Sequence, residues 1–199
     1  MKENQRFKRF QKYFNKVSGS SVEDIHQAMN EDYKIAIQRA EQLSSIERSS
    51  YDQPYVVLVP HQLDKGRKVS YRLDLLPNGA QTLVYDQVLI SVIIFGQDTF
   101  HYYQAHIDHI TGEISEDLSG EFNYFDVVHL VTKKGLDQPE KPKYETLDLE
   151  IGLADGSVIP IHLRKFRLQS DYNPNVFISE NELKIINLLK KKVRESRTN

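Results

Sequence analysis

Up to about residue 45 the apolar positions of this chain recur every three or four residues, and from Tyr55 onward they recur every two. Phe7, Phe10, Phe14 and Val17 lie at helical spacing, which predicts a short amphipathic helix over residues 3–17 that Ser18 and Gly19 end. Ser20 precedes Glu23 by three residues, the spacing of a capping box, and Val22, Ile25, Met29, Ala36, Ala40 and Leu43 carry a second stripe to about Ser45. A helical hairpin over residues 1–48 is therefore expected. Residues 44–54, polar and closed by Pro54, are expected to link it to an antiparallel β domain over residues 54–199.

In that second part Val69, Tyr71, Leu73 and Leu75 alternate with Ser70, Arg72 and Asp74, and Pro77, Asn78 and Gly79 supply a turn into the next strand. Residues 82–95 and 98–110 read as a pair joined across Gly96 and Gln97, and residues 82–95 are apolar on both faces, as in a strand covered on both sides. Thr111 and Gly112 reverse the chain into residues 113–118, and Gly120 leads into a long strand over 122–132. Gly135, Pro139 and Pro142 among charges make 133–143 a solvated loop. Beyond it, a three-residue Ala154-Asp155-Gly156 loop with Gly156 left-handed pairs Ile151 with Ile159 and Leu149 with Ile161, apolar face to apolar face. Pro160 cannot donate to a ladder, so its strand is expected to lie at an edge or to present that position outward. Ser179 and Glu182 form a capping box, with Ile178 placed to staple against Leu183, and Leu183, Ile186, Leu189 and Val193 give the last helix its apolar stripe. The fold class is α+β: a helical hairpin, then a meander of antiparallel strands closed by one C-terminal helix, the layout of a pleckstrin-homology-like fold.

Composition narrows the chemistry. The chain has 199 residues, 39% hydrophobic and 27% charged, with a formal net charge of -2. Without cysteine there is no disulfide framework, thiolate nucleophile or cysteine-bound metal, and the reducing cytosol is the expected home. The longest apolar run, residues 88–95, is too short to span a bilayer. A slightly acidic chain whose sheet aromatics are not interleaved with lysine and arginine is not expected to bind nucleic acid. Both ends are basic: Lys2, Arg6, Lys8, Arg9, Lys12 and Lys16 at one, Lys190, Lys191, Lys192, Arg194 and Arg197 at the other.

The segment Glu121-Phe122-Asn123-Tyr124-Phe125-Asp126-Val127 resembles the Glu-Tyr-Phe-Tyr-x-Asp-Ile strand of a family of bacterial proteins with no assigned activity. The order of parts is similar over roughly residues 30–197, with Tyr102 and Tyr103 shortly after a strand beginning at Val88 and a closing Leu189–Glu195 helix end. The resemblance implies a cytosolic bacterial protein with a sheet-plus-helix layout and supplies no catalytic residue.

His101, His106 and His109 with Asp108 suggest a metal site, but strand parity puts His101 and His109 on one face and His106 and Asp108 on the other. His129 shares its face with Phe125, Val127 and Val131 and is expected in the core, whereas His162 is expected to be exposed. No serine sits in a Gly-x-Ser-x-Gly elbow, and Glu113, Glu116, Asp117 and Glu121 read as a solvated acidic hairpin. The reading is a non-enzymatic cytoplasmic binding module, with no cofactor or metal, whose partner is another protein or a second copy of itself. Tyr102, Tyr103, Tyr124 and Phe125 are the candidate ligand-lining residues. The alternative is a peripheral membrane module holding anionic lipid through Lys190, Lys191, Lys192 and Arg194. A small metal-dependent enzyme around His106 and Asp108 is the third reading.

Overall fold

A computed structural model describes residues 3–45, 51, 53–63, 66–137, 144–167 and 179–198. The chain is α+β, with mostly antiparallel strands and, among the described residues, three α-helices. The strand Gln87–Phe95 (β5) organises it, because eight of its nine residues are buried. Its even-numbered side chains Val88, Ile90, Val92 and Ile94 face one core, and Leu89 and Ile93 face another. Around it stand Tyr55–Pro60 (β2), Thr99–Asp108 (β6) and Glu113–Asn123 (β7), in the antiparallel order β2-β5-β6-β7.

On the even face lies the helix Glu23–Ser44 (α2), whose Ala36 and Ala40 bring its backbone close to Tyr103, Ala105 and Ile107. On the other face lie a second sheet of Val127–Asp137 (β8), Tyr144–Leu153 (β9) and Val158–Arg167 (β10), and the helix Glu180–Glu195 (α3). Ile185, Ile186, Leu189 and Val193 of α3 fill the space between the two sheets. A third, smaller sheet joins Ser18–Ser20 (β1), Tyr71–Leu75 (β3) and Gln81–Tyr85 (β4). The first helix, Glu3–Phe14 (α1), packs Phe10, Tyr13 and Phe14 on Ile25 and Met29 of α2 and on Val84 and Ile110.

Several expectations hold. The β9–β10 hairpin pairs Ile151 with Ile159 and Leu149 with Ile161, with Gly156 at φ +86°, and β10 is an edge strand. Gly96 turns β5 into β6, Gly112 at φ +80° turns β6 into β7, and the capping box of Ser179 and Glu182 is complete. Ile178, expected to staple that helix, lies outside the described residues.

Other expectations are corrected. The N-terminal unit is helix, strand, helix rather than a hairpin: residues 18–20 pair in parallel with β3, so Ser20 is a strand residue and Val22 takes the cap position of α2 without a side-chain bond. Val17 and Leu43 end their stripes in solvent, and in α3 Ile185 is buried where Leu183 is exposed. The expected 82–95 strand breaks at Asp86, which passes the chain from the small sheet to the central one, its Oδ1 accepting the Ser70 N–H at 2.7 Å. Gly120 lies inside β7, and the expected 122–132 strand is interrupted by a 3-10 turn at Tyr124–Asp126. That turn lets the chain leave the central sheet and start the second one. Residues 133–137, read as loop, continue β8, while residues 138–143 lie outside the described residues. Of the expected linker, residues 46–50 and 52 also lie outside them. Tyr51 is buried and its hydroxyl donates to Glu41.

The sharpest reversal is in β3. Period-2 alternation argues for the apolar set inward, yet Arg72 and Asp74 are buried and Leu75 is exposed. The charged side of β3 faces α1 and β1, where it forms a closed set. Asp74 accepts from Arg72 Nε at 2.8 Å and from the Tyr13 hydroxyl at 2.5 Å, with His26 Nε2 at 2.6 Å. Arg72 also donates to the carbonyls of Tyr13 and Ser20. A second buried pair fixes α3: Arg164 of β10 donates to both carboxylate oxygens of Glu182 and to Glu145.

Replacing Arg164 by Met strands the Glu182 carboxylate and leaves Glu145 with Lys134, and a loss of about 3–5 kcal/mol is expected from urea unfolding. Adding Glu182→Gln removes the stranded charge and keeps an acceptor for Ser179, so it should recover part of that loss. Gly19→Ala puts a Cβ 2.6 Å from the Arg72 guanidinium at φ +157°, and Arg72 is held by three partners. A cost of about 2–4 kcal/mol is expected, read the same way.

Candidate functional site

The four aromatics expected to line a ligand groove do not form one. Tyr102 and Tyr124 lie in the core between the two large sheets and Tyr103 in the core under α2, all buried, while Phe125 stands 72% exposed on the 3-10 turn. Tyr102 donates to the Pro160 carbonyl at 3.2 Å, Tyr124 to the Gly96 carbonyl at 3.2 Å, and Tyr103 to Asp117. Burial raises all three phenols above the usual tyrosine range.

The histidines separate as strand parity requires. His109 is buried on the α2 side, its Nδ1 2.7 Å from Asp32, which also takes Arg6. His106 faces the second sheet and stacks on His61 with ring centroids 4.6 Å apart. His162 sits 2.7 Å from Asp148. Among the described residues no group of three or more His, Asp or Glu side chains is placed to hold a metal ion. His129, expected in the core, is exposed. A bulge between Val127 and His129 shifts the parity of β8, and the imidazole lies across Gly152 of β9, where a Cβ would come within 2.0 Å of its Cε1.

The strand that carries His129 presents the most open surface for a partner. β8 is eleven residues long and pairs with β9 alone among the described residues. Of the other three edge strands of the two large sheets, β2 lies against β10, and β7 and β10 are obstructed. On β7, Arg39 of α2 donates to the Ile114 carbonyl at 3.0 Å and to Asp117 at 2.9 Å, and Glu116 has a left-handed φ of 56°. On β10, Pro160 lacks a donor, its carbonyl is occupied by Tyr102, and the register shifts between His162 and Arg164. Natural edges are blunted by such devices.

On β8 the lysines turn back toward β9: Lys133 reaches Glu150 at 2.6 Å and Lys134 comes within 3.5 Å of Glu145. Val128, Val131 and Leu136 are left exposed.

Beside the start of β8 runs a groove of about 170 Å³ against the C-terminal half of α3. Val127, Leu130 and Val193 make its floor, and Lys190, Arg194 and Arg197 its basic rim. The helix is held there at both ends. Glu182 and Arg164 fix its N-terminus, while Lys192 donates to the Gly96 carbonyl at 3.0 Å and Arg197 to the Val127 carbonyl. Of the four basic residues expected to meet lipid, Lys190, Lys191 and Arg194 are exposed on the outer side of α3 and Lys192 is committed to Gly96. Among the described residues no helix is long and apolar enough to cross a membrane. Sequence reasoning missed the groove because Val128, an extra residue in the ladder, cannot be told from its neighbours by alternation.

Compared with known protein families, curated proteins and solved structures, the chain matches none.

His61 gives a pH signature. Burial, then the neighbouring charges of His106, Lys165 and His162, lower its pKa from the ordinary 6.5. The unfolded chain therefore binds more protons at this residue than the folded one, so stability rises with pH up to the ordinary value and is lost as pH falls through and below it. Between about pH 7.5 and about pH 5, His61→Gln should lose less stability than the parent in urea titrations.

Proposed function

We propose that this protein is a non-enzymatic interaction module that takes an extended, acidic segment of a partner protein along the open edge of β8. The observation that carries the reading is an eleven-residue edge strand, with exposed Val128 and Val131, lying beside a groove whose rim is Lys190, Arg194 and Arg197. A strand added to such an edge gains main-chain hydrogen bonds, and alternate side chains enter the groove for specificity. The basic rim selects acidic side chains and steers their approach.

The order of parts supports a pleckstrin-homology-like core: a four-stranded sheet, a three-stranded sheet, and a C-terminal helix between them, with β3 and β4 as an insertion after β2. A cysteine-free composition supports a cytoplasmic setting. A second copy is the other occupant that fits the same edge, since two β8 strands related by a two-fold axis pair antiparallel.

The test is a selection of peptides from a displayed library on the full chain, followed by amide chemical-shift mapping of the best binder. Acidic peptides with alternating apolar residues are expected, with shifts confined to residues 127–137 and 190–197. Val128→Asp combined with Val131→Asp should weaken binding by about 2 kcal/mol or more without lowering the melting temperature. Shifts centred elsewhere, or affinity unchanged in the double variant, would sink the reading. Light scattering of parent and double variant separates self-pairing, which the variant should abolish.

A further inference from the structure

A different cavity, of about 330 Å³, lies between α1 and the start of α2. Its rim is cationic: Arg9 and Lys12 stand one turn apart on α1, and Lys16 follows in the turn just past the end of that helix. Its floor is the Tyr13 ring over the buried Arg72 guanidinium, and its far wall is Val22 and Ile25. The floor is rigid. Tyr13 is held by its hydroxyl bond to Asp74 and by the guanidinium carbon of Arg72 at 4.3 Å from its ring centre.

The charges on the rim are not all internally satisfied. Arg9 is paired with Asp24, and Arg72 is spent on Asp74 and two carbonyls. Lys12 and Lys16 are exposed and make no ion pair or hydrogen bond among the described residues. Two successive lysines over an apolar, preformed hollow match a ligand with a doubly charged head and a small apolar body. Val22, 40% exposed, carries the apolar wall out to the surface, and Val17, 62% exposed, follows Lys16 in the chain.

We propose that this cavity binds a phosphate monoester carrying a short apolar group. The phosphate lies between Lys12 and Lys16, and the apolar group rests on Tyr13, Val22 and Ile25. The ester is either a soluble small molecule or the headgroup of a monoester lipid; the head chemistry is the same, and in the second case Val17 and Val22 enter the acyl region beside the lysines.

The probe is hexyl phosphate, titrated calorimetrically into the full chain with inorganic phosphate as the comparison. Binding with a Kd of about 1 mM or tighter is expected. Lys12→Gln with Lys16→Gln should weaken it by at least about tenfold, while the melting temperature stays unchanged because both side chains are exposed. Vesicles of phosphatidic acid in phosphatidylcholine, against phosphatidylcholine alone, form the second arm. Binding to hexyl phosphate that the double variant loses supports a soluble ester, and variant-sensitive binding to phosphatidic acid vesicles alone supports the lipid source. No binding in either arm, binding that the double variant leaves unchanged, or equal affinity for inorganic phosphate would overturn the proposal.

Discussion

The whole architecture answers to one strand with no polar face to turn toward water. β5 buries both of its sides, and a strand of that kind folds only where something apolar covers each side. Its two covers differ in kind. Helix α2 approaches one face through alanines, which sets a short separation, while the second sheet and α3 cover the other with branched and aromatic side chains. Every other element is placed by its relation to these covers: the small sheet and α1 brace α2, and β10 and β8 hold the two ends of α3.

Buried charge fixes the direction of those attachments. Apolar contact alone tolerates sliding, because its energy depends on area and little on orientation. A carboxylate that accepts from three partners, as Asp74 does from Arg72, Tyr13 and His26, tolerates no such freedom: a shift of one residue would leave an uncompensated charge in the interior. The Arg164–Glu182 pair does the same for α3, and Glu182 also closes the helix N-terminus through Ser179. One residue thus ties a local capping signal to a long-range contact.

That double role explains what was legible in the sequence. The last helix, the β9–β10 hairpin and the apolar character of β5 were readable because local chemistry and tertiary packing ask for the same residues there. Where packing is satisfied by charge, the pattern misleads. Alternation in β3 points Leu73 and Leu75 inward, and only the approach of α1 and α2, with Tyr13 and His26, makes the Arg72 and Asp74 side the buried one. The breaks at Asp86 and at Tyr124–Asp126 were hidden for a related reason: both lie within apolar runs, and what ends each strand is a change of sheet, a non-local event. The tyrosines chosen as ligand contacts are core residues by the same logic, since a large ring on a two-faced sheet is buried whichever way it points.

The two sites proposed above follow from the same distribution of cover. An apolar strand buried on both faces leaves binding to the periphery, where covers end. At the β8 edge the second sheet has a neighbour on one side alone among the described residues, and α3 has already brought its cations to that margin to hold the Val127 carbonyl. At the α1–α2 junction the bracing of the small sheet consumes Arg72 but leaves Lys12 and Lys16 with nothing to pair. Both margins are basic in a chain whose net charge is -2, so the compensating acidity lies elsewhere, part of it along β7. There Glu116, Asp117 and Glu121 already have internal partners in His106, Arg39 and His101. At both margins cations sit where the hydrophobic covers stop, which is why acidic ligands are the chemistry proposed for both.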